Sequence, residues 1–575
     1  MTEPVPEDKI TLSVLVEGDN VYKNLFVITV SSHDMFVDIR GVIQKAYSER
    51  EQTSIYGLDF YRANVPFNQV ENFQLSDEAF LPVVETVGSV WPSRFDVDRR
   101  LVHIIVRPKS KQVTQTCRAV APPAAEAELD TFIKEFNDTQ LKLIRAVKKT
   151  SSSSAAMPKT FRVQQAGLDY INIGRPAEKT WLPIVLYHPV FGHFLRRLRS
   201  TDPLDPEVYM RTSNYFHASQ DLYVDETNPQ ARDEITQSRL LGVLGKSLAN
   251  GVQKGAGPEA GIHIMEMRNE LGTGPSDPSI QAAQSYARYW ADKADQRWLK
   301  WCCCPSILVV IAGPWMCVLG AIFLDRPVVQ PLTHFLWVGT DPARPSELDY
   351  IARVFNCLSV AWEELEEYYR SSNPPGETPA RAFPYPTHCS NSAQVMRFTY
   401  QKILCPGKPI FLAETIEANP KCIVVKFVKT YNGDTHRLLA EHRLAPELPY
   451  DGTIHPEDQP SPDFSMIVMK FIQGVDLEWM DSYLSHPGFE DIDKAIALLH
   501  AHDFVFGDLR EPNVMVLPTG KAMLVDFDWC GKGMGARYPF EMNMDLELGW
   551  HRDVGPGAEM RKEHDKYMLE KLRPR

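Results

Sequence analysis

Apolar residues recur at two different spacings along this chain, which predicts a mixture of strands and helices. Between residues 37 and 47 the apolar positions follow a helical period, whereas other runs in the same region are strand-like. The strand-like runs are 10–16, 25–30, 58–61 and 101–108. A hairpin, a helix and two later strands predict one α+β unit over residues 9–108.

The composition changes after this unit. Ala and Pro dominate residues 119–125, and Ser and Ala dominate residues 150–156, as is typical of a linker. Residues 129–149, between these two runs, have apolar positions at helical spacing. The pattern predicts a linker over residues 109–159 that carries one isolated helix.

Helical and strand-like runs then alternate over residues 160–375, which predicts an α/β unit. Within it, the stretch 306–324 is almost wholly apolar and long enough to cross a bilayer. Gly313 and Pro314 interrupt this stretch near its middle, where a turn is expected. The pattern favours two short buried strands joined by a turn over a membrane span.

Polar residues at fixed spacing follow apolar runs near the C-terminus. Asn513 lies five positions after Asp508, and Asp526 lies thirteen positions after Asn513. Phosphoryl transfer from ATP requires one carboxylate that orients the attacking hydroxyl, together with a carboxylate and an amide that hold Mg²⁺. The three residues have the types and the order that this chemistry needs.

Upstream residues extend the same order. Lys426 lies in a buried strand predicted at 423–428, where its ammonium can pair with phosphate oxygens and with a helical glutamate. Glu441, in the helical run 436–442, is the candidate partner. The strand-like run 464–471 predicts a strand that leads into a hinge. The alternative interpretation is that Lys426 is a core lysine whose charge is paired within the fold, and that the acidic residues are solvated residues on loops.

This order of residues resembles the protein-kinase-like superfamily over residues 381–575. The resemblance implies a bilobal fold, ATP and Mg²⁺ as cofactors, and an unknown hydroxyl-bearing substrate, either a protein or a small molecule. The roles that it implies are Asp508 as base, Arg510 as a cation on the transferring phosphate, Lys426 on the phosphates with Glu441 as its partner, Asn513, Asp526 and Asp528 at Mg²⁺, and Met469 and Phe471 beside the nucleotide.

The segment also departs from that family. Phe506 and Gly507 replace the usual His and Arg before the base, and Asp528 replaces the usual Gly of the metal loop. A Gly before the base is also similar to small-molecule kinases of the aminoglycoside type. The first hairpin has only Gly407 where a glycine-rich loop is expected, and the chain after Asp526 is too short for a full-sized C-terminal lobe.

The middle unit has its own candidate residues. Glu266 and Arg268 lie in a strand-like run, and Gln281 lies in the next helical run. A strand ending in Glu-x-Lys, followed by a helix with a Gln, resembles the restriction-endonuclease-like core, which implies Mg²⁺-dependent cleavage of nucleic acid. Arg268 replaces the lysine, and Asn250 stands where an Asp is expected, so the metal set is weakened. We interpret the unit as a degenerate nuclease core; a plain α/β scaffold and an active nuclease are the alternatives.

The first unit resembles the ubiquitin-like N-terminal domain of the Crinkler family, most clearly in residues 103–106. Fungal Crinkler-type proteins similarly combine this domain with a nuclease-like middle and a kinase-like end, so the resemblance covers the whole chain. It implies an effector or toxin architecture whose ubiquitin-like domain docks on a protein partner; a passive folding cap is the alternative. Two functions follow: an ATP/Mg-dependent phosphotransferase, or an inactive pseudokinase and pseudonuclease that acts by binding partners.

Composition limits the setting. The chain has 575 residues, too many for one core, and a net charge of −13, which argues against a surface that coats nucleic acid. Its ten cysteines are irregularly placed, with three consecutive at 302–304, as is typical of a reducing, intracellular setting in cytoplasm or nucleus. The acidic N-terminus lacks the apolar core of a signal peptide, so export would need an unconventional route.

Overall fold

The protein, described by a computed structural model, is a mixed α+β structure with several sheets. It divides into two compact units, Met1–Gln115 with Pro158–Tyr170, and Thr116–Met157 with Ile171–Arg575. The boundary predicted between 160–375 and 381–575 stays a prediction. The structure describes residues 9–16, 25–34, 58–72, 86–91, 98, 100–108, 122–220, 238–245, 263–268, 272, 276–292, 298–339, 344–371, 382–391, 394–480, 483–533, 535–544 and 548–574.

The first unit contains a four-stranded mixed sheet. Its elements are β1 Lys9–Val16, β2 Phe26–Ser31, β3 Leu58–Pro66, α1 Val87–Val90 and β4 Leu101–Pro108, with a further helix at Pro158–Ala166. The order is β2-β1-β4-β3, in which β1 and β4 are parallel and the outer pairs are antiparallel. Leu12, Val14, Ile104 and Trp91 share one buried cluster. The four predicted strands are confirmed; the helix predicted at 37–47 lies outside the described residues.

The second unit begins with α2, Pro122–Val147. The sequence predicted a helix here correctly, but the prediction that it is isolated is wrong. Leu143 and Ile144 are buried, and Gln140 Nε2 donates to the carbonyl oxygen of Leu324 at 2.6 Å. Apolar spacing shows that a helix has a buried face, but it does not show what covers that face.

A five-stranded sheet forms the centre of the middle region. The elements are α3 Ser152–Ala155, α4 Pro189–Arg199, α5 Pro206–Ser219, β5 His263–Arg268, α6 Pro278–Asp292, α7 Trp298–Trp301, β6 Ser306–Ala312, β7 Trp315–Phe323, β8 Pro327–Pro331, β9 Leu336–Trp337 and α8 Pro345–Ser371. The order is β5-β6-β7-β8, with β9 on β7, and only β5 and β6 are parallel.

The apolar stretch 306–324 forms β6 and β7 of this sheet, which pair antiparallel. Gly313 adopts φ +57° in the turn between them, so the predicted pair of buried strands is confirmed. Almost every residue of both strands is buried, which explains why the run is apolar without alternation. In the part of the chain that the structure describes, no helix has the length and apolar character needed to span a membrane.

A six-stranded antiparallel sheet dominates the C-terminal region, in the order β10-β11-β12-β13-β15-β14. Two smaller sheets follow, β16-β18-β19 and β17-β20. The elements are β10 His388–Asn391, β11 Gln394–Ile403, β12 Ile410–Thr415, β13 Cys422–Val428, α9 Gly433–Glu441, β14 Tyr450–Asp451, β15 Ser465–Lys470, β16 Val475–Asp476, α10 His486–Ala501, β17 Phe504–Val505, β18 Val514–Val516, β19 Ala522–Leu524, β20 Gly531–Lys532 and α11 Lys562–Lys571.

One apolar core joins α9, α10 and α11 to the small sheet. Leu439 of α9, Ile496 of α10 and Met568 of α11 belong to the same buried cluster as Leu524 and Phe527. The loops after β17 and after β19 both start at this core. It therefore fixes where the polar residues on those loops lie.

Candidate active site

Lys426 lies on β13, inside the large antiparallel sheet, and its side chain is buried. Its Nζ lies 2.8 Å from Asp526 Oδ1 and 2.6 Å from Asp528 Oδ1. Burial opposes the charged form of the lysine, but the two carboxylates outweigh it, so the pKa of Lys426 is raised. The structure thus brings together a strand cation and two loop anions that are a hundred residues apart in sequence.

The two carboxylates have different environments. Burial raises the pKa of Asp528, and the neighbouring charge of Asp526 raises it further. Burial also acts on Asp526, but Lys426 outweighs it and holds the pKa of that carboxyl below its usual range. Asp526 is therefore the permanent anion of the pair, and Asp528 is the one that takes up a proton more readily.

Asn513 and Asp526 leave the same end of the β18–β19 hairpin. Val514 pairs with Leu524, and the N–H of Val525 donates to the carbonyl oxygen of Asn513 at 3.0 Å. Each polar residue thus lies just beyond the last pairs of the hairpin. A spacing of thirteen residues becomes spatial proximity because the chain between them folds back on itself.

Asp508 is held by two neighbours on its own loop. Asn513 Nδ2 donates to Asp508 Oδ2 at 2.9 Å, and Arg510 NH2 donates to the same oxygen at 2.8 Å. Arg510 Nε donates to the other carboxylate oxygen. Burial opposes the charge of Arg510, but Asp508 and then Asp526 outweigh it, so the pKa of the guanidinium is raised. Both oxygens of the candidate base are hydrogen-bonded in this state.

Asp565, on α11, anchors the backbone before Asp508. Its carboxylate accepts from the N–H groups of Phe506 at 2.8 Å and Gly507 at 2.9 Å, and it contacts His500 Nε2 at 2.9 Å. Gly507 has φ +80°, and a Cβ there would lie 3.0 Å from Met560 Sδ. The left-handed backbone explains why a glycine stands at this position.

Two tryptophans contact the guanidinium of Arg510. Its Cζ lies 6.0 Å from the ring centre of Trp529 and 5.4 Å from that of Trp550. The two indoles stack, with their centres 6.0 Å apart and their planes at 28°. Arg510 is therefore positioned by a carboxylate and by two aromatic faces.

Helix α9 does not supply the predicted partner of Lys426. Glu441 is the last residue of α9, and Lys426 forms its ion pairs with Asp526 and Asp528 rather than with the predicted Glu441. His436 faces the interior instead. Its ring stacks on Phe527 at 4.5 Å and 11°, and its Nδ1 lies 2.6 Å from the Tyr431 hydroxyl.

The two residues predicted beside the nucleotide lie at the end of β15. Met469 is buried and pairs with Val424 of β13. The N–H of Phe471 donates to the carbonyl oxygen of Cys422 at 3.2 Å. That donor is already used within the protein. Contact of either residue with adenine stays a prediction.

The nuclease-like residues of the middle region form a separate network. Gln281 Nε2 donates to Glu266 Oε2 at 2.8 Å, and Ser285 donates to the other oxygen of Glu266. Arg268 donates to Gln281 and, at 3.1 Å, to Ser276. The structure brings Glu266, Arg268 and Gln281 into one hydrogen-bond network. Asn250 lies outside the described residues.

No protein-family model matches the chain, and no curated protein matches it. Its chemistry is to be inferred from the residues themselves.

Sequence reasoning missed four residues of the site: His436, Asp565, Trp529 and Trp550. Asp565 lies 58 residues after the Gly507 amide that it binds, and no local spacing links the two. The two tryptophans carried a usable signal, because bulky aromatic residues in a polar, turn-rich segment need a surface to cover.

Proposed function

We propose that residues 381–575 form a protein-kinase-like domain that transfers phosphate from Mg-ATP to a hydroxyl group. The contact of 2.8 Å between Lys426 Nζ and Asp526 Oδ1 carries the proposal. This contact places the buried ammonium of Lys426 beside the carboxylate of Asp526. Asp526 follows the β18–β19 hairpin at the same end at which Asn513 precedes it. A triphosphate with its divalent cation requires this combination of a fixed cation and oxygen ligands.

The oxygen ligands fit Mg²⁺. Asp526 and Asp528 offer carboxylate oxygens, which hard cations prefer. The amide nitrogen of Asn513 donates to Asp508, so the amide oxygen is the atom of this side chain that suits a cation. Asp526, Asp528 and Asn513 would hold the ion, and bound Mg²⁺ would neutralise charge on the phosphates. Lys426 would then exchange a carboxylate contact for a phosphate oxygen.

Asp508 is the proposed base. Asn513 orients its carboxylate, and Arg510 donates to both of its oxygens. Movement of Arg510 onto the transferring phosphate would free one oxygen to accept the hydroxyl proton. Arg510 thus has two states, one that covers the base and one that stabilises charge in the transition state.

Thermal unfolding of the full chain with and without Mg-ATP tests the proposal. We expect Mg-ATP to raise the melting temperature of the wild type and of the surface control Asp493→Asn. The melting temperature of Asp526→Asn should be the same with and without Mg-ATP. Turnover is then measured on wild type and Asp508→Ala. Absence of a shift in the wild type contradicts the proposal, and turnover that survives Asp508→Ala removes the base. Binding without turnover supports the pseudokinase alternative.

A specific observation favours a non-catalytic role for the middle region. Gln281 and Ser285 use both oxygens of Glu266, and Arg268 ties the same glutamine to Ser276. We propose a restriction-endonuclease-like remnant in which this network replaces the metal site. DNA cleavage that requires Mg²⁺ and disappears in Glu266→Ala would contradict it.

The sheet order of the first unit supports a ubiquitin-like domain. Two parallel central strands, β1 and β4, with β2 and β3 on the edges, are compatible with a β-grasp. With the two other regions, a ubiquitin-like domain gives the Crinkler-type architecture of an intracellular effector or toxin. The partner of that domain would be a protein that docks on it.

A further inference from the structure

A second cluster of polar side chains lies on the loop before α11 and at the first turn of that helix. His551, Asp553 and His564 each offer one ligand atom, and these atoms lie within 4.8 Å of one another. His551 Nδ1 and Asp553 Oδ2 are 3.8 Å apart, and the two imidazole centres are 5.1 Å apart. Two imidazoles and a carboxylate are a donor set that suits Zn²⁺.

The buried ring of His564 points independently to a ligand. Its side chain is 2% exposed, and its Nδ1 lies 3.0 Å from the hydroxyl oxygen of Tyr538. Its Nε2 has no hydrogen-bond partner among the residues that the structure describes. Buried polar atoms without a partner are rare, and a bound ion is one explanation. In metal sites, an outer hydrogen-bond partner orients a histidine through the ring nitrogen that does not bind the metal. Tyr538 contacts Nδ1 of His564 in this way, and Nε2 is the nitrogen available to the ion.

Neighbouring charges are compatible with a cation. Arg552 lies 3.8 Å from Asp553 Oδ1, but its side chain is 88% exposed and free to turn into solvent. Arg561 pairs with Glu559 at 3.5 Å. Asp553 therefore remains available as the anionic ligand of the cluster.

We propose that His551, Asp553 and His564 bind one Zn²⁺ ion, with water as a fourth ligand. Zinc bonds of about 2 Å require the ligand atoms to approach by roughly an ångström. His551 and Asp553 are partly exposed and can move by that amount. The ion would join the loop that carries Trp550 to the helix that carries Asp565. This site stands independently of the phosphotransferase proposal, because it rests on a separate set of side chains.

Zinc titration of the metal-stripped full chain tests the site. We expect the double variant His551→Ala/Asp553→Ala to bind one Zn²⁺ fewer than the wild type, and Zn²⁺ to raise the melting temperature of the wild type alone. Tyr538→Phe should weaken zinc binding by about 10- to 100-fold, because it removes the partner that orients His564. Equal stoichiometry and equal thermal shifts in wild type and double variant would overturn the proposal.

Two controls separate this site from other zinc ligands in the chain. His455→Ala removes a histidine from a second group with metal-ligand geometry among the described residues, His455, Glu457 and Asp458, and should leave the titration unchanged. Co²⁺ bound in place of Zn²⁺ should give a spectrum without a thiolate charge-transfer band, because no cysteine belongs to the cluster. Loss of zinc binding in His455→Ala would assign the ion to the second group and refute the proposal. A thiolate band in the double variant, with full binding stoichiometry, would assign the ion to cysteines and also refute it.

Discussion

Asp565→Asn changes one atom at the anchor of the loop that carries Asp508, and the loss of unfolding free energy follows from the contacts of that carboxylate. The carboxylate accepts from two backbone N–H groups, those of Phe506 and Gly507, and contacts His500 Nε2. Asparagine keeps one oxygen and turns the other acceptor into an NH₂ donor, which then faces a backbone donor. A lost charge-assisted hydrogen bond and a buried unsatisfied N–H together cost about 3 kcal/mol.

The measurement is urea or thermal unfolding of the full chain, followed by hydrogen exchange at the amides of Phe506 and Gly507. A loss of about 3 kcal/mol lowers the melting temperature by roughly 6 to 12 °C for a domain of about 150 to 250 residues, a range that includes the proposed domain at 381–575. Glu563→Gln, a substitution outside this anchor on the same helix, is the matched control. If Asp565→Asn has the same stability as this control, and the amides of Phe506 and Gly507 stay protected from exchange, Asp565 does not anchor the loop.

Three further predictions follow from single residues. Gly507→Ala should destabilise the protein by about 1 to 2 kcal/mol in urea unfolding, because φ is +80° there, whereas Gly555→Ala has open space and should be nearly neutral. Burial lowers the pKa of His436 from 6.5 to about 4, so that between these values the unfolded chain binds a proton that the folded chain does not. Stability should fall by at most about 3 kcal/mol as pH drops through that window, and His436→Gln should lose this part of the slope in unfolding curves recorded at each pH. Lys426→Met leaves Asp526 and Asp528 facing each other and should lower the free energy of unfolding by roughly 1 to 3 kcal/mol at neutral pH. This range is discounted because both carboxylates are partly exposed. The control Lys421→Met, at an exposed lysine, should cause no measurable loss in the same unfolding measurement.

The sequence predicted those parts of the site that local pattern determines. An apolar β-branched run placed Lys426 on a buried strand, and the turn-forming Gly313 and Pro314 divided the long apolar stretch into two strands. Asp508 and Asn513 are five residues apart on one loop, so their proximity follows from chain connectivity. These inferences needed only spacing and burial, which a sequence carries directly.

The partner of Lys426 could not be predicted in the same way. Charge complementarity selected Glu441, but one face of α9 turns inward because Leu439 packs in the apolar core. That face carries His436, and five residues further on Glu441 is rotated by about 140° away from it. Asp528 takes the place that Glu441 was expected to fill. Only the packed position of the loop against the sheet decides this, because both acids satisfy the charge.

This change of partner bears on how the proposed phosphotransferase would be controlled. When a helical glutamate holds the lysine, displacement of the helix can switch the site off. Here Asp526 and Asp528 hold Lys426 from one loop, and the stack of His436 on Phe527 fixes α9 to that same loop. In the proposed kinase-like domain, Gly507 also stands where an arginine would receive an activating phosphate. Strand, loop and helix are already joined, so the contact between Arg510 and Asp508 is the one that the proposed mechanism opens. In the proposed phosphotransferase, control would therefore lie with whatever draws Arg510 away from Asp508, and the transferring phosphate of Mg-ATP has the charge to do so.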